Sequence, residues 1–172
     1  MNRIALAGAV GIAAAALSPV AAQEPGSRQT REFVQAADQS DRFEILEAET
    51  VLGQSTDPQV RAYAEQMVRE HRQMNDRLRV AVAGAGLAPP AMTIGADQAQ
   101  LLGALQGLRG AAFDQAYVRH QALAHRSALV VEQAYAASGD DPAVRQVAAA
   151  AVPAITSHLA MAEQMVARLG GS

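Results

Sequence analysis

Apolar residues recur along this chain at intervals of three and four, the spacing of one face of an α-helix. One stripe runs Val60, Ala64, Met67, His71, Met74, Leu78. Another runs Val144, Ala148, Ala151, Ile155, His158, Ala162, Met165, Leu169. A third carries Val118, Ala122, His125 and Leu129, with Tyr117 and His120 to one side. The fourth carries Phe33, Ala37, Ser40, Glu44, Glu47 and Val51, with Phe43 and Leu46 beside it. The residues between stripes are mostly Ala, Gln, Glu, Arg, Leu and Met, which lose little rotamer entropy in a helix. The pattern predicts four long helices near 30–54, 58–83, 111–138 and 142–169, and a shorter one near 97–107. Gly84 to Gly95, with Pro89-Pro90, is the longest stretch that reads as non-helical.

Two helix starts share a signature. Asp57-Pro58-Gln59-Val60-Arg61 and Asp141-Pro142-Ala143-Val144-Arg145 both read D-P-x-V-R, and Ala64 and Ala148 follow at the same distance. A carboxylate at N-cap with proline at N1 is a strong helix start. The match suggests two helical hairpins related by duplication, with chance as the competing explanation for so short a motif. Tight turns make each hairpin antiparallel, and the segment 84–110 is long enough to cross the whole bundle. The expected fold is all-α, a ferritin-like four-helix bundle with a long crossover between its second and third long helices. Up-down-up-down is the other topology open at this point.

Polar residues interrupt the stripes, and their heights can be compared. Glu44 lies 13 residues before Asp57 and His71 lies 14 after it, so both sit roughly 20 Å from the first turn. His125 lies 16 before Asp141 and His158 lies 17 after it, roughly 25 Å from the second turn. With the turns at opposite ends of a bundle about 40 Å long, all four fall in about one layer. A carboxylate and three neutral imidazoles are a ligand set for Zn, Cu or Fe. The competing reading is a structural polar cluster, with Glu44 and Tyr117 as hydrogen-bond partners for the histidines. The di-iron signature Glu-x-x-His is missing, since Val68 and Ile155 stand three residues before His71 and His158. Met67, Met74, Met161 and Met165 lie near the histidines in sequence; methionine suits Cu(I), but more often fills gaps in a core. Glu65, Arg69 and Glu70 read as a solvated face. Pro153 is expected to kink the last helix about a turn before His158.

Composition narrows the classes further. The chain has 172 residues, a length that suits one domain, and no Cys. That excludes disulfides, thiolate nucleophiles, Cys-based zinc sites and iron–sulfur clusters. The net charge of -3 argues against nucleic acid as a partner. No apolar run after residue 22 reaches the ~20 residues of a membrane helix. No phosphate-binding glycine loop and no nucleophile elbow is present, so no catalytic residue is assigned. Nothing in the pattern sets the oligomeric state, and a homo-oligomer stays open.

Residues 1–22 read as a secretory signal. Arg3 gives the positive start, Ile4 to Leu17 the apolar run, and Val20-Ala21-Ala22 the small residues before a cut at Gln23. The mature chain would then be 23–172, with its bundle over 32–169, and would lie in the periplasm or the medium.

Several motifs resemble the bacterial domain-of-unknown-function family 4142. They are Ser40-Asp41-Arg42-Phe43-Glu44-Ile45, the run from Pro58 to His71, Phe113-Asp114-Gln115-Ala116-Tyr117 with His125 eight residues later, and Pro153 with His158. The resemblance spans roughly residues 32–167. It implies an exported, ferritin-like bundle whose recurrent polar positions fall on Glu44, His71, Tyr117, His125 and His158. It supplies no activity. Glu70 stands where the family usually has Asp. The expectation is an exported periplasmic bundle with Glu44, His71, His125 and His158 as metal ligands and Tyr117 behind them, acting in stress or envelope homeostasis. The alternative is a structural or interaction module of the envelope whose polar cluster only fixes helix packing.

Overall fold

The structure, a computed structural model, describes residues 25–170; the expected signal segment lies outside them. Within that range the chain forms α1 (Arg28–Gln54), α2 (Pro58–Gly84), α3 (Ala96–Gln106), α4 (Gly110–Ser138) and α5 (Pro142–Gly170), with no strand. Helix α1 begins two residues before the hydrophobic pattern predicts, because Ser27 caps it by accepting from the Thr30 N–H at 3.0 Å. Helix α5 runs through Pro153 as one element.

The repeated D-P-x-V-R motif does the same work twice. Asp57 Oδ1 accepts from the Gln59 and Val60 N–H groups at 2.9 and 3.0 Å. Asp141 Oδ1 accepts from the Val144 N–H at 3.0 Å. Each arginine then reaches back six residues to the carbonyls that end the preceding helix. Arg61 donates to the Ser55 carbonyl at 3.0 Å, and Arg145 to the Gly139 carbonyl at 2.8 Å. Val60, Ala64, Val144 and Ala148 are all fully buried. The motif therefore starts one helix, closes the one before it and anchors both hairpins in the core.

The hairpins pack head to tail. Thr30 and Phe33 of α1 meet Tyr135 of α4, while Glu47 meets His120, so α1 and α4 are antiparallel. Asp57, which caps α2, meets Arg168 of α5, while Glu70 meets His158, so α2 and α5 are antiparallel as well. Those pairings put the two turns at opposite ends. The connection from α2 to α4 must travel the length of the bundle, which is the crossover topology. It leaves α2 through a C-terminal cap that needs glycine. Gly86 has φ +68°, its N–H donates to the Ala83 carbonyl, and the Leu87 N–H reaches the Val82 carbonyl. Leu87 packs back on the cluster that holds Val82. Helix α3 then lies across α1 and α4.

The core is apolar at both ends and polar between. Val51, Val60, Met67, Phe113, Tyr117 and Met165 belong to the cluster near the first turn. Phe33, Leu78, Tyr135 and Val144 belong to the cluster near the second. Buried between them are Asp38, Asp41, Glu44, Glu47, His71, Gln121, His125 and His158.

Candidate metal centre

Three helices bring three imidazoles to one point. His71 from α2, His125 from α4 and His158 from α5 are each at most 2% exposed. Their ring centroids lie 5.4, 5.3 and 5.2 Å apart, nearly an equilateral triangle. One nitrogen of each ring falls within 4.8 Å of the others.

The outer nitrogens are all spoken for. His71 Nδ1 pairs with Asp41 Oδ1 of α1 at 2.9 Å. His125 Nδ1 donates to the Gln121 carbonyl, one turn back on its own helix, at 2.8 Å. His158 Nε2 donates to Glu70 Oε2 at 2.6 Å. The inner nitrogens are what remain. His71 Nε2 faces His125 Nε2 at 3.2 Å. His158 Nδ1 is buried with no hydrogen-bond partner among the described residues.

Burial keeps these rings neutral. It pushes His71 down to about 3, with the neighbouring His158 adding to the effect. It pushes His125 to about 3 as well, helped by His71 and His158. His158 is lowered by burial, against the opposing hydrogen bond and charge of Glu70. Neutral imidazole with its second nitrogen tied to an oxygen is the form that ligates metals, because the outer bond fixes tautomer and ring orientation. The geometry fits. Two nitrogens bound at 2.0–2.1 Å to a tetrahedral ion lie about 3.3 Å apart, and rings radiating from it have centroids about 5.2 Å apart.

The structure distributes the expected site residues unevenly. His71, His125 and His158 come together. Glu44 lies in a neighbouring polar nest, where it accepts from the Gln121 amide, which also donates to Glu47 at 3.3 Å. Glu44 Oε1 has no partner among the described residues, and burial followed by the charge of Glu47 raises its pKa well above the usual range. Tyr117 sits in the first-turn cluster, edge-on to Tyr63 at 6.1 Å, and its hydroxyl has no hydrogen-bond partner among the described residues. Met67, Met74 and Met165 are members of apolar clusters, and Met161 packs against one, as core-filling methionines do.

Two carboxylates at the centre differ from the reading of the sequence. Asp41 is 8% exposed and belongs to the inner face of α1, where the sequence pattern points to Ser40. Its signal was present: Asp38, Asp41, Glu44 and Glu47 recur every three residues on one helix. Glu70, on the face the sequence marks as solvated, is half-exposed and also folds over His158. Burial works against its charge, yet the hydrogen bond it accepts from His158 outweighs that and holds its pKa low. His120, also set to one side, pairs with buried Glu47 at 2.7 Å.

The family model described as "Domain of unknown function (DUF4142)" matches residues 15–165, nearly the whole chain. The chain belongs to the DUF4142 family. This DUF4142 domain is also similar to a solved structure, the crystal structure of a DUF305 fragment from Deinococcus radiodurans. The TM-score is 0.73 at 19% identity, over 84% of this chain and 99% of that one. At that identity the likeness concerns the helical fold. No curated protein matches. Among the described residues no helix of this DUF4142 domain is long and apolar enough to cross a membrane.

Proposed function

We propose that this DUF4142 protein is an exported helical bundle that holds one transition-metal ion, zinc or copper, on His71, His125 and His158. The observation that carries the reading is the division of labour within each ring. Every outer nitrogen is engaged with an oxygen, the inner nitrogens of His71 and His125 face each other at 3.2 Å, and one nitrogen of each of the three rings lies within 4.8 Å of the others. A buried neutral nitrogen without a partner, as at His158 Nδ1, is costly unless something completes it. Three imidazoles suit Zn and Cu. The two nearby carboxylates are used on the outer nitrogens, which speaks against the two-histidine, one-carboxylate set of non-haem iron. The signal-like residues 1–22 support export, and a Cys-free histidine site keeps its ligands in an oxidising compartment. The role we assign is metal handling in stress or envelope homeostasis.

Equilibrium dialysis of the mature protein against Zn(II) and Cu(II) tests this. His71→Ala and His158→Ala should each abolish stoichiometric binding; unchanged binding would overturn the assignment. One observation favours a second reading: the same hydrogen bonds tie α1, α2 and α5 together at one level, as a cluster that only sets helix register would. In that case the two substitutions lower the melting temperature equally with and without metal.

A further inference from the structure

A cleft of about 350 Å³ opens between α1 and α4 under α3, walled largely by small and apolar side chains and roofed by Gln98 and Leu101. Behind it is a chamber of about 20 Å³ with Asp41 and His71 in its wall. That is room for one water-sized occupant. The two spaces share four lining residues: Ala37, Ser40, Ala128 and Glu132. Three of these are small, so the partition between cleft and chamber is thin.

The fourth is unusual. Glu132 is 7% exposed, and its Oε2 has no hydrogen-bond partner among the described residues. Burial, then the charge of Asp41, raises its carboxyl to about 8, which places Asp41 within its electrostatic reach. A buried acid with a bare oxygen, beside a second acid across a small chamber, is a poor element of structure. It is a good stopping place for a cation.

We propose that this cleft is the route by which the ion reaches the three-histidine centre, with Glu132 as the carboxylate that passes it from the cleft into the chamber beside His71. This rests on the metal reading above. On the opposite side half-exposed Glu70 holds the outer nitrogen of His158 at 2.6 Å, and the inner Nδ1 of that ring is fully buried. Glu132 releases its proton to the water in the cleft as the ion arrives, and the ion then exchanges this oxygen for the imidazoles. Glu132 thus governs how fast the site fills, while the histidines govern how tightly.

The test is stopped-flow mixing of metal-free mature protein with Co(II), followed by its visible ligand-field absorption, beside equilibrium titrations. Glu132→Gln removes the carboxylate at constant size, and Ala128→Leu fills the partition. Melting curves of both variants establish that they fold. Each should slow loading about tenfold or more, the scale of electrostatic focusing on association. The equilibrium Kd should stay within about threefold of wild type. Equal loading rates in wild type and both variants would overturn the route. So would slow loading in Glu70→Gln with normal loading in Glu132→Gln, which would put the entrance on the α2–α5 side. Loss of affinity in Glu132→Gln would make it a ligand and overturn the transit role. Failure of the wild type to take up Co(II) or Zn(II) at all would instead overturn the metal reading, and the route with it.

Discussion

His71 Nε2 and His125 Nε2 stand 3.2 Å apart in the buried interior, and something must lie between their lone pairs. Without metal, a proton can do it. Burial raises Asp41 well above the usual carboxyl range, the neighbouring Asp38 adding to it. A protonated Asp41 donates to His71 Nδ1, and the His71 Nε2–H then donates to His125. A metal ion takes the place of that proton. Binding at neutral pH should therefore release about one proton per ion. Calorimetric titrations in two buffers of different ionisation enthalpy measure this. Equal heats in both buffers would contradict the relay.

The outer carboxylates should matter almost as much as the ligands. Asp41→Asn and Glu70→Gln keep shape but remove the carboxylates that, once metal displaces the proton, accept from His71 and His158. Each should weaken metal affinity by about 10–100-fold, the usual cost of losing such a partner. Competition with a chromophoric chelator reads this directly. Affinities equal to wild type would mean that the ring orientation is set by packing alone.

The pH dependence of stability has a definite sign. His71 and His125 titrate near 6.5 when unfolded and at about 3 when folded. Between these values the unfolded chain takes up protons that the folded one refuses, so their contribution falls as pH falls. Asp41, Glu44 and Glu47 are raised by burial and act in the opposite sense, their contribution falling as pH rises. Comparing metal-free wild type with a His71→Phe/His125→Leu variant leaves these acids in both proteins. The wild-type melting temperature should drop more steeply between pH 6.5 and 3; parallel curves would refute the assignment.

The two capping aspartates should not be equal. Asp141→Ala removes one side-chain cap, worth about 1 kcal/mol. Asp57→Ala removes a cap and also the paired contacts from Arg168 at 2.8 and 3.1 Å. It should therefore cost more, by up to about 1 kcal/mol for a surface pair. Urea denaturation at neutral pH distinguishes them. A larger loss for Asp141→Ala would contradict the account of the duplicated turn.

What was legible in the chain follows from what a single helix can record. Every residue of the α2 stripe from Val60 to Leu78 is buried, as is the α5 stripe as far as Met165. Each of these helices presents one inner face, and a period of 3.6 describes it. Helix α1 faces α2, α4 and α3 together, so its buried surface is wider. There the pattern settled on Ser40 rather than Asp41. The level arithmetic puts Glu44 and the three histidines in one layer because rise per residue is fixed, and Glu44 lies beside the histidines but pairs with Gln121. It could not tell which carboxylate would reach them. Glu70 adjoins His71 in sequence but serves His158 on another helix, and only cross-helix reach decides that.

Elemental analysis of the mature protein, purified from the periplasm without a histidine tag beside a His71→Ala/His125→Ala/His158→Ala control, tests the central claim most directly. The account predicts about one equivalent of zinc or copper in the wild type and none in the control, one ion per three-imidazole site. No metal in either protein, even after loading with each ion and desalting, would contradict it and leave the histidines as a structural cluster.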